Sequence, residues 1–398
     1  MPQAPSLAYL FRTFLKIGAA SFGGNVALVA VVQREMVEKD QSLDNDAIVE
    51  AVSVGSVMPG PLAVNTVTYL GYQLRGFPGA LVSMFAVLLP AFFLVLGLSW
   101  AYFTYRELPI LDRIFGGILP GVMAIILSVA FSMGQKNIKD PWQWGILVVS
   151  FIALLFIRAF WLSLILVMLA ALVGIWRYET TVQSDHVKPD WRLLRRDLLK
   201  VLCWILGAMA LIVGLEYMIT RLFPEHNILL DLFNTFGGMG ISLFGGGYVF
   251  IPAIGEVVVN QHQWLNPTEF TDAIAMGQIT PGPILISATF IGYKMAGIPG
   301  AVVATVAMFL PPGLLMVLAA RYFALLRTHP RVQAAFMGIK ASVVGLIAAA
   351  VFVIGKGIDN LNIFSLLIFC LVLLLSIRYK LSPLYLIPGA AFLGWLLF

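Results

Sequence analysis

Charge is what this chain has least of. Charged residues make up 11% of its 398 residues, and the mean hydropathy is +0.93. A soluble globular chain carries roughly 25%, so the shortfall excludes an ordinary soluble domain and assigns the chain to the membrane class. Cysteine is nearly absent too. Cys203 and Cys370 each stand in an apolar run, far from any Cys-x-x-Cys spacing. That excludes a disulfide framework and a thiolate metal site, and leaves buried free thiols. The four histidines, His186, His226, His262 and His329, all fall in polar connections, so none is placed as a mid-membrane proton relay and no metal site is expected. There is no Walker-type glycine loop, no His-Glu-x-x-His and no Gly-x-Ser-x-Gly, which removes the signatures of nucleotide-driven pumps and of common hydrolases. No enzyme activity and no cofactor are expected. The net charge of +5 is spread over the loops, giving no concentrated patch for nucleic acid. Arg12 and Lys16 interrupt the first apolar run, so it does not read as a cleavable leader.

What the chain has is apolar length. A membrane helix needs roughly 20 apolar residues, and runs of that order cover 10–32, 51–73, 78–103 and 115–134, with shorter ones at 142–157 and 159–176. A basic connection carrying Arg177, Lys188, Arg192, Arg195, Arg196 and Lys200 follows. After a run at 201–223 the pattern restarts, at 228–259, 271–295, 299–323, 332–355, 363–377 and 383–398. The restart is a duplication. Offset by 222, Gly18, Phe22, Gly23, Gly24, Gly55 and Pro59-Gly60-Pro61 fall on Gly240, Phe244, Gly245, Gly246, Gly277 and Pro281-Gly282-Pro283. Offset by 221, Gly71-Tyr72, Gly76, Pro78-Gly79-Ala80 and Pro90 fall on Gly292-Tyr293, Gly297, Pro299-Gly300-Ala301 and Pro311. The expected architecture is therefore an all-α polytopic membrane protein of about thirteen segments. Residues 1–178 form a first repeat, 179–200 a basic linker, 201–227 an unpaired span and 228–398 a second repeat.

Lys and Arg set the orientation. With the linker cytoplasmic and every segment crossing, 16 basic residues lie inside and 8 outside. Arg34 and Lys39 count among the outer ones, and Arg321 to Arg331 among the inner. The N-terminus is then cytoplasmic. The unpaired span turns the second repeat over, giving the inverted plan of many secondary transporters. This scheme supposes that the Pro-Gly-Pro segments cross fully. If both were re-entrant, the recount would put Arg321 to Arg331 outside.

Proline cannot donate a backbone hydrogen bond and clashes with the preceding turn. Pro59-Gly60-Pro61 and Pro281-Gly282-Pro283 therefore break their segments. Within a bilayer, broken backbone survives only inside protein or along a wet cavity. A half-helix restarting there presents free N–H groups and the positive end of its dipole to an anion. The glycine pairs Gly23-Gly24 and Gly245-Gly246-Gly247 allow close approach by a substrate or a neighbouring backbone. Close helix packing is the plainer reading of the same glycines. Asn25, Asn65, Thr66, Gln278, Thr280 and Ser287 supply amides and hydroxyls to complete a hydrogen-bonding cage.

Together these motifs resemble the chromate ion transporter family. The likeness rests on Phe-Gly-Gly near the start of each half, then Pro-Gly-Pro, then Gly-Tyr. It is closest over Gly245-Gly246-Gly247-Tyr248-Val249, Glu256, Trp264 and Gly277-Gln278-Ile279-Thr280-Pro281-Gly282-Pro283. The first cluster departs from it, with Asn25 where proline is expected. The resemblance implies a bacterial inner-membrane protein that moves chromate, a sulfate mimic, generally outward for resistance. Half-length members of the family work in pairs, which leaves a homodimer open here. Sulfate or another oxyanion is the alternative cargo, import the alternative direction, and a passive anion channel or a membrane-embedded enzyme a rival reading. With no ATPase, energy comes from an ion gradient, with a proton as candidate coupling ion, from the membrane potential or from exchange. Lys16, Glu35, Glu256, Lys294 and Lys340 are the charged residues placed to serve the anion or the coupling ion, with Glu35 and Glu256 as candidate partners of Arg34 or Lys294. Snorkelling to the interface is the plain alternative for the lysines.

Overall fold

A computed structural model of the chain describes residues 5–22, 24–55, 58–105, 109–157, 162–179, 228–242, 247, 250–326, 330–355 and 362–398. The span expected at 201–227, and the linker beyond Glu179, lie outside these residues. Among them every regular element is helical. The first repeat holds α1 (Leu7–Ala20), α2 (Gly24–Val32), α3 (Asn45–Gly55), α4 (Leu62–Tyr105), α5 (Pro109–Asn137), α6 (Pro141–Phe156) and α7 (Leu162–Tyr178). The second holds α8 (Ile228–Ser242), α9 (Phe250–Gly255), α10 (Pro267–Ile279), α11 (Ser287–Leu326), α12 (Pro330–Gly355), α13 (Ile363–Arg378) and α14 (Pro383–Leu397). Each element has its counterpart seven labels on. Even irregularities recur: α2 and α9 run into π-helical turns, Gln33–Lys39 and Glu256–Gln261, and each turn is followed by a left-handed glutamine, Gln41 (φ 51°) and Gln263 (φ 53°).

The first segments of each repeat fold back on themselves. The Tyr9 hydroxyl donates to Asp40 Oδ2 at 2.8 Å, across a stretch that a straight helix would extend to about 45 Å. The glycine cluster is thus the tip of a hairpin made by α1 and α2. In the second repeat Thr235 and His262, 3.4 Å apart, close the corresponding hairpin. The Pro-Gly-Pro stretches are tips as well. Glu50 on α3 accepts from Tyr69 at 2.7 Å and Gln73 at 3.3 Å on α4, so the chain turns back at Pro59-Gly60-Pro61. Lys294 and Glu269 close the second such hairpin in the same way.

A third reversal lies inside α4. Arg75 (φ −145°, ψ 20°) and Gly76 (φ 65°, ψ −154°) leave helical geometry, as do Ala296 (φ −148°, ψ 27°) and Gly297 (φ 60°, ψ −144°) in α11. A Cβ on Gly71 would lie 2.5 Å from Ser83 Oγ, where a continuous helix separates these residues by about 18 Å. Glycine is required at both turns because a side chain is strained at these φ values. Each of these helices therefore consists of a short arm returning from the Pro-Gly-Pro tip and a long arm that runs on.

Because both hairpins of a repeat return to their own side, the chain leaves Gly76 on the face where it began. The side of Arg321 to Arg331 is therefore not reversed: Arg331 Nε donates to Glu179 at the start of the basic linker, at 2.6 Å. Lys16 and Lys39, expected on opposite sides, both bind Glu35, at 2.5 and 2.6 Å.

Counterpart helices α5 and α12 run antiparallel, which makes the repeats inverted. A Cβ on Gly355 would lie 3.0 Å from Met123 Cε, and one on Gly134 3.6 Å from Val344 Cγ1. The repeats also exchange their outer helices. α6 and α7 pack on α12, while α13 and α14 pack on α5. Small residues bring these backbones together: Gly174 lies against Ala334 and Gly338, and Gly117 against Ala390 and Gly394. Ser150 donates to Ser342 at 2.8 Å, and Ser128 and Ser376 pair at 2.7 Å. Among the described residues four helices, α4, α5, α11 and α12, are long and apolar enough to span a membrane. The shorter outer helices turn Phe156, Trp176, Leu172, Leu366 and Trp395 outward, a lipid-facing belt. Cys370 on α13 is on that exposed surface rather than buried, and Cys203 lies outside the described residues. The protein is an all-α membrane protein whose core lies between the long arms and the α5–α12 pair.

Candidate functional site

The two Pro-Gly-Pro tips dock reciprocally. A Cβ on Gly60 would lie 2.5 Å from Pro312 Cβ, on the long arm of α11. One on Gly282 would lie 3.2 Å from Ala91 Cβ, on the long arm of α4. Ala91 and Pro312 are themselves counterparts at an offset of 221. Both tip glycines are left-handed, with φ 98° and 113°. The Gly282 N–H donates to the carbonyl of Ser21, at the end of α1, at 2.9 Å. Thus the second tip reaches the end of the first hairpin of the other repeat, beside the glycine pair.

Local sequence explains the tips. Asn65 Nδ2 donates to the Pro59 carbonyl at 2.9 Å and staples the first one. Thr280 ends α10, its hydroxyl donating to the Met276 carbonyl at 3.1 Å. A short 3-10 turn, Ile284–Ile286, then leads into α11. At the other end of the hairpin, Asn266 and Glu269 form a reciprocal capping box that fixes the entry to α10.

The polar groups around the tips divide into two kinds. Thr66 donates its hydroxyl to the Leu62 carbonyl at 2.8 Å and is used by its own helix. By contrast, Gln278 Nε2 and Ser287 Oγ are buried and have no hydrogen-bond partner, and the same holds for Asn65 Oδ1. Buried polar atoms are rarely left unpaired, so these three stand out, Asn65 at the first tip and the other two flanking the second. Gln278 and Ser287 belong together: a Cβ on the neighbouring Gly277 would lie 3.5 Å from Ser287 Cβ. Ser287 puts a hydroxyl at the start of α11, where the helix dipole also favours negative charge, and Gln278 brings an amide from the end of α10. Gly247 is buried against Ile284, 3.6 Å from where its Cβ would be. Gly24 opens α2, with Asn25 in its first turn. Gly23, Gly245 and Gly246 lie outside the described residues.

The charged candidates are mostly structural. Lys16 pairs with Glu35, which Lys39 also contacts; Lys16 first, then Lys39, holds this carboxyl down to about 2. Glu35 therefore meets neither Arg34 nor Lys294 in these pairs. Lys294 pairs with Glu269 instead of Glu256, and Glu256 accepts from Asn260 at 2.6 Å. Only Lys340 faces a cavity beside a tip. Sequence reasoning missed Asp272, a buried carboxylate on α10 that accepts from Tyr102 of the other repeat at 2.5 Å. The signal was present, because Asp272 stands 222 residues after Glu50, in a segment otherwise poor in charge.

The sequence profile of a family described as "Chromate transporter" matches twice, over residues 8–175 and 230–395. The chain is 33% identical over 391 residues to the chromate transport protein of Cupriavidus metallidurans, covering 98% of this chain and 92% of that protein. It is 33% identical over 381 residues to a probable chromate transport protein of Synechococcus elongatus, covering 89% and 86%. A shorter relative, the uncharacterized transporter YwrB of Bacillus subtilis, is 30% identical over 156 residues, 38% of this chain and 77% of its own. No solved structure matches the chain.

Proposed function

The chain belongs to the chromate transporter family, and from that premise we propose that it is a secondary transporter that exports chromate across a bacterial inner membrane. The cargo is a tetrahedral dianion held where the second Pro-Gly-Pro tip meets the first hairpin of the opposite repeat. Gln278 Nε2 and Ser287 Oγ donate to its oxygens, with the start of α11 adding its dipole. Pro281, Gly282 and Pro283 shape this wall, and the Gly282 N–H ties it to Ser21 at the end of α1. The observation that carries the reading is the pair of buried donors without partners among the described residues, one on each side of the second tip. An oxyanion supplies what they lack, since a hydrogen bond to a charged group is worth about 1.5–3 kcal/mol.

Alternating access follows from one repeat rocking against the other about the reciprocal tips. We take the face bearing the N-terminus, Arg75, Arg331 and the linker as cytoplasmic. Arg34 and Lys39 now join Lys16 on it, which strengthens the positive-inside bias. An outward-moving dianion gains about 2.3 kcal/mol per charge per 100 mV from an inside-negative potential. Residues 1–178 and 228–398 are the moving repeats, joined by the linker at 179–200 and the unpaired span at 201–227.

Chromate flux in proteoliposomes tests this. The expected result is saturable flux that sulfate competes for and that an inside-negative potential drives outward. No chromate or sulfate flux at any gradient overturns the reading. Linear, weakly temperature-dependent flux identifies a channel instead, and preferential sulfate uptake identifies an importer.

A further inference from the structure

Next to the first tip is a cavity of about 140 Å³, walled by α3, the start of α4, α5 and α12. Gly55, Met58, Gly60 and Leu62 form one side, and Asn137 and Lys340 contribute polar groups from the other. Lys340 is the single ionisable residue lining it among the described residues. It stands well inside α12, an apolar helix, where a lysine costs a few kcal/mol unless something offsets it. No described residue does so through a hydrogen bond or ion pair. Lys340 makes no hydrogen bond and no salt bridge among the described residues, although Lys16, Lys39 and Lys294 all have carboxylate partners. Its side chain is exposed rather than folded against a neighbour. The matching position of the first repeat, 221 residues earlier, is Leu119, so inversion does not require a cation here.

We propose that this cavity is a second anion subsite, in which Lys340 draws a small dianion toward the first tip and holds it before it enters the central site. This rests on the transport reading above. The charge missing beside Lys340 is mobile: it arrives with the cargo. Leu62, which lines the cavity, is also the first residue of α4, so the dipole of that arm points the same way. Asn65 Oδ1, buried beside Gly60 and without a partner among the described residues, is an acceptor and so is not one of the groups that would hold the anion. Chromate and sulfate share the tetrahedral dianionic form that the site reads, and the test separates them by competition.

The experiment uses the full-length protein, wild type against Lys340→Gln and Lys340→Arg. Chromate flux is measured in proteoliposomes at low and high ionic strength, and sulfate binding is measured by calorimetry on purified protein. Lys340→Gln is expected to raise KM at least tenfold, to leave kcat within about twofold, and to flatten the salt dependence. Sulfate affinity falls by the same factor. Lys340→Arg, which keeps the charge, stays within about threefold of wild type, and a residue that merely packs would not show this rescue. If Lys340→Gln keeps the wild-type KM and salt dependence while wild type transports, the subsite is wrong and the transport reading stands. If Lys340→Gln loses kcat with KM unchanged, the subsite is also wrong. A wild-type protein that neither binds sulfate nor moves chromate overturns the transport reading itself.

Discussion

The two repeats share a backbone and differ in how they use it. At matching bends the first repeat has Arg75-Gly76 and the second Ala296-Gly297, with φ and ψ agreeing to about ten degrees. Side chains at matching positions diverge. Glu50 is satisfied within its own repeat by Tyr69 and Gln73. Its counterpart Asp272 takes Tyr102 from the other repeat, because Phe290 stands where Tyr69 would be. Glu35 binds two lysines, whereas Glu256 binds an amide, Asn260 having replaced Lys39. Around the tips, the unpaired group is an acceptor in the first repeat and a donor pair in the second. Duplication fixed the scaffold, and the polar groups at the two tips then diverged.

The largest test of this comparison is at the tip glycines. Both are left-handed, so alanine at either costs about 1–3 kcal/mol of backbone strain. Only Gly60 would also force its Cβ into Pro312, at 2.5 Å against 3.2 Å for Gly282 and Ala91; such overpacking adds about 1–3 kcal/mol. Gly60→Ala should therefore lower Tm more than Gly282→Ala, and both should abolish most flux. An equal fall in Tm would show that the tips are not packed as differently as their distances imply.

A smaller effect separates the two hydroxyls at the start of the returning arms. Ser287→Ala removes a donor that has no protein partner, and should raise KM for chromate roughly ten- to hundredfold, the equivalent of 1.5–3 kcal/mol. Thr66→Val, 221 positions earlier, removes a hydroxyl already used by Leu62, and should change KM by no more than about threefold. Equal effects would return the first tip to the same standing as the second.

The smallest effect is at Glu35. Its carboxyl is lowered from 4.5 to about 2, chiefly by Lys16 and then by Lys39. A lowered folded-state value means stabilisation that is complete above 4.5 and is lost as pH falls toward 2. Both lysines are largely exposed, so the contribution is about 1 kcal/mol at most. Tm measured from pH 7 down to pH 3 should fall less steeply below pH 4.5 in Glu35→Gln than in wild type. Identical slopes would remove Glu35 from the account.

The duplication and the breaks were legible in sequence because glycine and proline mark backbone, and backbone is what the repeats kept. The reversal at each break was not. An apolar run interrupted at Pro59-Gly60-Pro61 reads the same whether the chain continues or returns, and only long-range pairs such as Glu50 with Tyr69 decide. The side of Arg331 is unchanged by these reversals, since the fold-back of α1 on α2 cancels that of α3 on α4. Of the candidate site, Gln278 and Ser287 were named from residue type, but nothing local distinguished them from Thr66, whose hydroxyl is turned onto its own helix. Lys340 stood out by charge alone, whereas Asp272 needed its register with Glu50.

The exchange of outer helices also bears on how the protein is made. α6 and α7 leave the ribosome well before α12, their eventual neighbour, exists. Chains are synthesised at about 5–20 residues per second, so these two helices wait in the bilayer with small-residue faces such as Gly174 turned to lipid. The first repeat lacks part of its set of partners when its own synthesis ends. Assembly closes only when α13 and α14 settle on α5, which makes this late-made pair of helices the clasp that completes the first half.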